Sequence, residues 1–318
     1  MNGTTTRLAL ETVGLRKSFA GTAAVDGLDL RVPEGSVFAL LGPNGAGKTT
    51  TVQILSTVLR ADAGEVRVAG HDPARDPDAV RRAIGVTGQS PAVDNLLTGE
   101  ENLTLMADLH HLERAEGRRR IAELLERLDI AEERGRPAVT YSGGQRRRLD
   151  LAMTLIGRPR IVFLDEPTTG LDPRSRRTVW RIVRDLVDGG TTILLTTHYL
   201  EEADRLADRV ALLDHGRLVA EGTPEELKRL IPGGTIRLRF ADARTLDAAA
   251  RLVGGSGDDD SLTLEVPSRG GTRSLRELLD RLGDARIAVE DLAIRTPDLD
   301  DVFLTLTGHH DEDGGPAR

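Results

Sequence analysis

Nine residues, Gly42-Pro43-Asn44-Gly45-Ala46-Gly47-Lys48-Thr49-Thr50, directly follow the apolar run Val37-Phe38-Ala39-Leu40-Leu41. Glycines at 42, 45 and 47 open backbone dihedrals closed to other residues and let the loop bring its N–H groups against an anion. A helix starting near Lys48 aims its positive end, worth about half a charge, into the same concavity. Phosphate is the natural occupant. Lys48 then reaches β- and γ-phosphate oxygens, and the Thr49 hydroxyl can ligate Mg²⁺. Thr50 closes the motif and runs on with Thr51 into the helix. Lys17, Lys48 and Lys228 are the three lysines of a chain otherwise basic through arginine, so a lysine at 48 is not compositional drift.

A second cluster of chemistry follows the run 161–164, where Asp165 and Glu166 stand together before Pro167. A continuous apolar run marks a strand covered on both faces, and ligands of open α/β sheets gather at its carboxyl end. Asp165 is placed to hold Mg²⁺, directly or through water. Glu166 is placed to orient and deprotonate an attacking water. Adjacent strand residues point to opposite faces, so the two acids need not share a task. His198 ends the next apolar strand, 191–197, where an imidazole can hydrogen-bond a γ-phosphate and that water. Ser142-Gly143-Gly144-Gln145 opens a helix and has two compatible readings, an anion-binding helix start and a serine cap closed by Gln145 in a capping box. Gln89, after the short strand 84–88, offers a neutral carbonyl to a Mg²⁺ shell or a water. Phe19 can either stack on a base or fill a gap in the core.

The elements that position these groups alternate. Short apolar and polar runs over the first forty residues predict β-structure, and a helix is expected over 48–59 with Val52, Leu55, Val58 and Leu59 on its apolar face. Helical period holds from 100 to 128, an insertion between strands in which Arg118-Arg119-Arg120 reads as a solvated face. Further helices are expected at 174–187 and 200–207, with a hairpin at 209–222. Beyond 230 the spacing predicts strands at 235–240, 261–266 and 286–294 and helices at 246–253 and 275–282, a small α+β module. Asp258-Asp259-Asp260 lacks calcium-loop spacing and reads as a solvated turn. Residues 309–318 are expected to be a disordered tail.

Composition sets bounds. A chain of 318 residues has room for two domains. A net charge of −8 argues against a surface that binds nucleic acid through its phosphates. Without cysteine there are neither disulfides nor thiolate zinc sites. Its apolar runs fall far short of the roughly 20 residues that span a bilayer. The start, MNGTTTRLALETVGL, lacks the layout of a secretory signal, so no cleaved leader is expected.

Taken in order, the loop at 42–50, Gln89, Tyr141-Ser142-Gly143-Gly144-Gln145, Asp165-Glu166, Leu171-Asp172 and His198 resemble the ATP-binding subunit of ATP-binding-cassette (ABC) transporters over about residues 7–230. Tyr141 stands where leucine is usual in that family. The resemblance implies an α/β fold, a P-loop NTPase of ABC type: mixed sheet core, β-subdomain, and a helical subdomain over about 90–158. A regulatory or dimerisation domain over 231–308 would follow. It implies ATP and Mg²⁺ as ligands and a head-to-tail homodimer in which one copy's 42–50 loop and the other's Ser142–Gln145 segment enclose each ATP. Phe19 would stack on adenine, Lys48 and Thr49 would serve phosphate and metal, and Gln89 would sense metal and water. Asp165 would bind Mg²⁺, Glu166 would be the base, His198 the γ-phosphate switch, and Asp172 would stabilise the dimer seam. The ending Thr296-Pro297-Asp298-Leu299-Asp300-Asp301-Val302-Phe303-Leu304-Thr305-Leu306-Thr307-Gly308 is similar to that of daunorubicin-resistance-type subunits, drug and antibiotic exporters whose transmembrane permease is a separate chain. A peripheral place on the cytoplasmic face of the membrane follows from that likeness.

Two other functions are weighed against it. Soluble ABC-type ATPases acting on ribosomes or DNA usually carry two cassettes or a long coiled coil, and neither is present here. A non-hydrolysing regulatory clamp conflicts with an intact Glu166 and His198.

Overall fold

Alternating burial builds the first sheet. β1 (Leu8–Phe19) and β2 (Thr22–Pro33) form an antiparallel hairpin, and β4 (Ala63–Val68) pairs with the other edge of β1. The computed structural model describes residues 7–231, 234–267, 271–295 and 297–308. The chain divides into two compact units, Met1–Pro224 and Glu225–Arg318.

The second sheet of the first unit positions the site. Its six strands lie in the order β5 (Ile84–Thr87), β6 (Ile161–Asp165), β7 (Thr192–Thr197), β3 (Val37–Leu41), β8 (Arg209–Asp214), β9 (Arg217–Gly222). All neighbours are parallel except β8 and β9, so the sheet is mixed. Every residue of β3, β6 and β7 is buried, as continuous apolar strands covered on both faces require. Successive side chains go to opposite cores: Val162 and Leu164 join Ile193 and Leu195 on the helical side, whereas Phe163 and Leu194 join Phe38 and Leu40 on the side of the first sheet. The register sets Leu41 opposite Thr197 and Asp165 opposite Thr196. The strand ends that precede Gly42, Glu166 and His198 are therefore level.

Around the sheet run α1 (Lys48–Leu55), α2 (Pro77–Ala83), α3 (Gly99–Leu109), α4 (Arg114–Arg127), α5 (Gly143–Leu155), α6 (Pro173–Asp188) and α7 (Leu200–Leu206). Three sequence expectations are corrected here. The helix expected over 48–59 stops at Leu55, because Thr57 takes a left-handed φ of 69° and the Val58 and Leu59 N–H groups both turn back to the Gln53 carbonyl. Val58 is left 71% exposed, not on an apolar face. The helical run 100–128 is two helices, broken where His111 takes φ 54°. Arg120 does not share the solvated face of Arg118 and Arg119. It is buried, donating to the Leu155 carbonyl at 2.8 Å and to Glu123 at 2.7 Å.

The second unit begins within α8 (Pro224–Lys228). It holds β10 (Thr235–Arg239), α9 (Ala243–Val253), β11 (Ser256–Asp258), β12 (Thr263–Pro267), α10 (Gly271–Asp284), β13 (Asp291–Arg295) and α11 (Leu299–Thr307). Its antiparallel sheet has the order β11-β12-β10-β13 over a core of Ile236, Leu238, Phe240, Leu246 and Leu264. The last strand begins five residues later than the sequence suggests, since Ile287 still bonds back to Leu282 at the end of α10. The stretch 309–318, expected to be disordered, lies outside the described residues.

Candidate nucleotide-binding and hydrolysis site

The loop between β3 and α1 is shaped by close approach. Gly47 has φ 96°, and a Cβ there would lie 2.3 Å from the Ala24 carbonyl oxygen, so no side chain fits. The same residue caps α1 with no side-chain hydrogen bond, which leaves the first N–H groups of the helix open for an anion. Asn44 and Gly45 are exposed, Pro43 and Thr50 half-buried, Gly42 and Ala46 buried. Lys48 is buried, with Nζ donating to the carbonyls of Gly42 at 2.7 Å and Pro43 at 3.0 Å. Burial pushes its ammonium down, and the carboxylates of Glu166 and Asp165 pull it back up in part.

Asp165 and Thr49 meet across the sheet, with Thr49 Oγ1 3.5 Å from Asp165 Oδ2. The other carboxylate oxygen accepts from the Thr196 hydroxyl. Among the described residues no group of three or more His, Cys, Asp or Glu could hold a metal by itself. One carboxylate and one hydroxyl fit Mg²⁺, a hard cation that keeps waters and takes phosphate oxygens as its remaining ligands.

Glu166 departs from the expected alternation. The strand ends at Asp165, and Glu166 takes a left-handed φ of 49°, uncommon for a residue other than glycine. Its N–H donates to the Thr196 carbonyl at 3.0 Å and the Thr196 hydroxyl at 3.3 Å. The turn aims the carboxylate at His198: Glu166 Oε1 lies 3.2 Å from His198 Nδ1, and Oε2 accepts from the Thr169 hydroxyl at 3.2 Å. Gln89 stands exposed just beyond β5, the strand beside β6. Phe19 is 46% exposed at the hairpin end, 5.5 Å from Lys17 Nζ, and fills no gap in the core.

Ser142 caps α5 in a complete capping box with Gln145, worth about 1 kcal/mol of helix stability. Gln145 also donates to Glu133 at 2.6 Å, and the Tyr141 hydroxyl donates to the Glu133 carbonyl at 2.7 Å. A Cβ on Gly144 would sit 2.4 Å from Ser175 Oγ, which donates to Asp172 at 2.5 Å. Asp172 also caps α6 through the N–H groups of Arg174 and Ser175. Ser142, Gly144 and Asp172 thus lie together in one chain. Among the described residues no hydrogen bond joins Ser142–Gln145 to the loop 42–50. Sequence reasoning missed Thr196, Thr169, Arg147 and Asp150. An Arg–Asp pair three apart on a helix was the available signal for the last two.

Glu202, four residues past His198, is fully buried, with Trp180 Nε1 donating to it at 3.0 Å. Burial raises its pKa from the usual 4.5 despite that bond. The folded state therefore binds the proton more tightly than the unfolded chain, and stability falls as pH rises above about 4.5. Glu202→Gln should raise the melting temperature at pH 8 and change it little at pH 4, as a pH series of thermal melts would record.

Fold and site define a P-loop ATPase that carries a second glycine-rich helix start. The ABC transporter profile matches residues 25–169. Over 322 residues the chain is 50% identical to the daunorubicin/doxorubicin resistance ATP-binding protein DrrA of Streptomyces peucetius, covering 98% of this chain and 96% of that protein. Identity to the doxorubicin resistance ATP-binding protein DrrA of Mycobacterium tuberculosis is 45% over 312 residues, 94% of each. A solved structure of an ATP-binding subunit of an ABC transporter matches with a TM-score of 0.64 and 28% identity, over 70% of this chain and 93% of that one. The chain belongs to the ABC transporter family, as one of its ATP-binding, ATP-hydrolysing subunits.

Proposed function

We propose that two copies of this chain, docked on a separate transmembrane permease, use ATP to drive efflux of a drug, antibiotic or other hydrophobic compound. The observation that carries the hydrolytic part is the 3.2 Å contact of Glu166 with His198 at a strand end level with the phosphate loop. In this reading the N–H groups of 42–50 and Lys48 hold the phosphates, and Phe19 stacks on adenine. Thr49, Asp165 and Gln89 would hold Mg²⁺, which neutralises charge on the β- and γ-phosphates when bound. Glu166 takes the proton of the attacking water. With Nδ1 at Glu166, His198 keeps Nε2 for the γ-phosphate.

Because Ser142–Gln145 makes no hydrogen bond with its own phosphate loop among the described residues, its helix start is assigned to the nucleotide of a second copy. Asp172, packed beside Gly144 through Ser175, lies at the resulting seam. The γ-phosphate then bridges the copies, and its loss shifts them apart. No helix among the described residues is long and apolar enough to cross a membrane. Attachment to the membrane is therefore assigned to the permease, on the cytoplasmic face where ATP is supplied, and nucleic acid has no part in it. Solution scattering of Glu166→Gln with saturating ATP and Mg²⁺ should give the mass of a dimer, falling to a monomer when ATP is withdrawn. Monomers in saturating ATP would overturn the shared site. A protein that leaves membranes free of permease but carrying RNA would overturn the transport role.

A further inference from the structure

Arg147 and Asp150 form an ion pair on α5 that is almost wholly buried, with both side chains 4% exposed and Nη1 3.2 Å from Asp150 Oδ2. Burial opposes both charges, lowering the pKa of Arg147 and raising that of Asp150. A buried pair of this kind seldom adds stability over packed apolar side chains, since each ion loses several kcal/mol of solvation. What distinguishes it is where its remaining hydrogen bonds go.

The Arg147 guanidinium donates to the Gly88 carbonyl at 2.7 Å, the Pro167 carbonyl at 2.9 Å and the Asp165 carbonyl at 3.3 Å. Asp150 Oδ1 accepts from the Ala92 N–H at 2.9 Å. Gly88 and Ala92 lie on either side of Gln89, and Asp165 and Pro167 on either side of Glu166. One rigid fork, itself fixed by Asp150, therefore grips both segments, and it grows from the helix that Ser142 starts. We infer that Arg147, oriented by Asp150, is a positioning residue that fixes Glu166 relative to Gln89 and ties both to the helix bearing Ser142–Gln145. Among the described residues neither side chain makes a hydrogen bond or ion pair with the loop 42–50, so the pair acts on hydrolysis and not on nucleotide capture. The inference rests on the roles proposed above for Glu166 and Gln89.

Lysine cannot reproduce a planar fork of five donors, although it keeps the charge. Displacing a reacting group by about 1 Å can cost about 10²-fold in rate. In the full chain, Arg147→Lys should lower kcat at least about tenfold while the dissociation constant for ATP stays within about twofold. Asp150→Asn, which keeps the acceptor for Ala92 and loses the charge, should show the same split to a smaller degree, and decides the matter should the lysine variant not fold. Folding is checked by thermal melting. A folded variant with kcat within twofold of the parent overturns the inference, and so does a proportional loss of ATP affinity and kcat, which marks a merely structural pair. Full turnover in Glu166→Gln would instead remove the reading of Glu166 on which the inference stands.

Discussion

Glu166→Gln is expected to lower steady-state ATP turnover at least about 10²-fold, the usual worth of a general base, and to leave ATP affinity within about threefold. The structure gives a reason to expect so clean a separation. A glutamine at this position still accepts from Thr169 through its amide oxygen and places its NH2 group beside His198 where Oε1 stood, so the left-handed turn at 166 and the level strand ends persist. Only the capacity to take a proton is lost. The neighbouring carboxylate, Asp165, already has one oxygen on the Thr196 hydroxyl and the other facing Thr49. It is poorly placed to act in place of Glu166. Single-turnover hydrolysis measured beside equilibrium ATP binding checks both halves, and undiminished turnover would remove Glu166 from the chemistry.

Lys48→Ala should act at the other step and weaken ATP binding about 10²-fold. Charge-assisted hydrogen bonds are worth about 1.5–3 kcal/mol, and each 1.4 kcal/mol is a factor of ten in affinity. The Lys48 ammonium sits buried between the loop carbonyls of Gly42 and Pro43 and the two carboxylates at the end of β6. Its charge is thus held in place before any ligand arrives, so little ordering is left to offset its contact with phosphate. Fold stability should change much less, because removing a desolvated ammonium relieves a burial cost as it frees two carbonyls. Titration with a fluorescent ATP analogue, paired with thermal melting, distinguishes lost affinity from lost structure.

What could be read from the chain alone follows the range of the interactions. The loop 42–50, the capped start at Ser142 and the apolar strands 161–164 and 191–197 are local patterns of residue type and period, and they stand in the structure near the expected places. Arg147 was not legible as a clamp, because its partners Gly88 and Asp165 lie 59 and 18 residues away in sequence and are backbone carbonyls, which any residue supplies. Glu166 was read as a strand residue since nothing in Asp-Glu-Pro announces a left-handed φ. The polar strand Ser256–Asp258 and the terminal helix Leu299–Thr307 were missed, the first for want of apolar alternation and the second because its Asp298 cap follows a proline that reads as a break.

The strand order β5-β6-β7-β3-β8-β9 also governs how the protein is made. The phosphate loop hangs from β3, yet both neighbours of β3 are translated long afterwards, as the pairs Val37 with Ile193 and Ala39 with Val210 show. At about 5–20 residues per second a ribosome needs on the order of ten seconds or more to supply them. Until then the nascent chain displays an unpaired apolar segment and has no finished cradle, so ATP cannot template its own pocket during synthesis. A finished cradle for nucleotide therefore exists only after β7 and β8 have emerged to pair with β3.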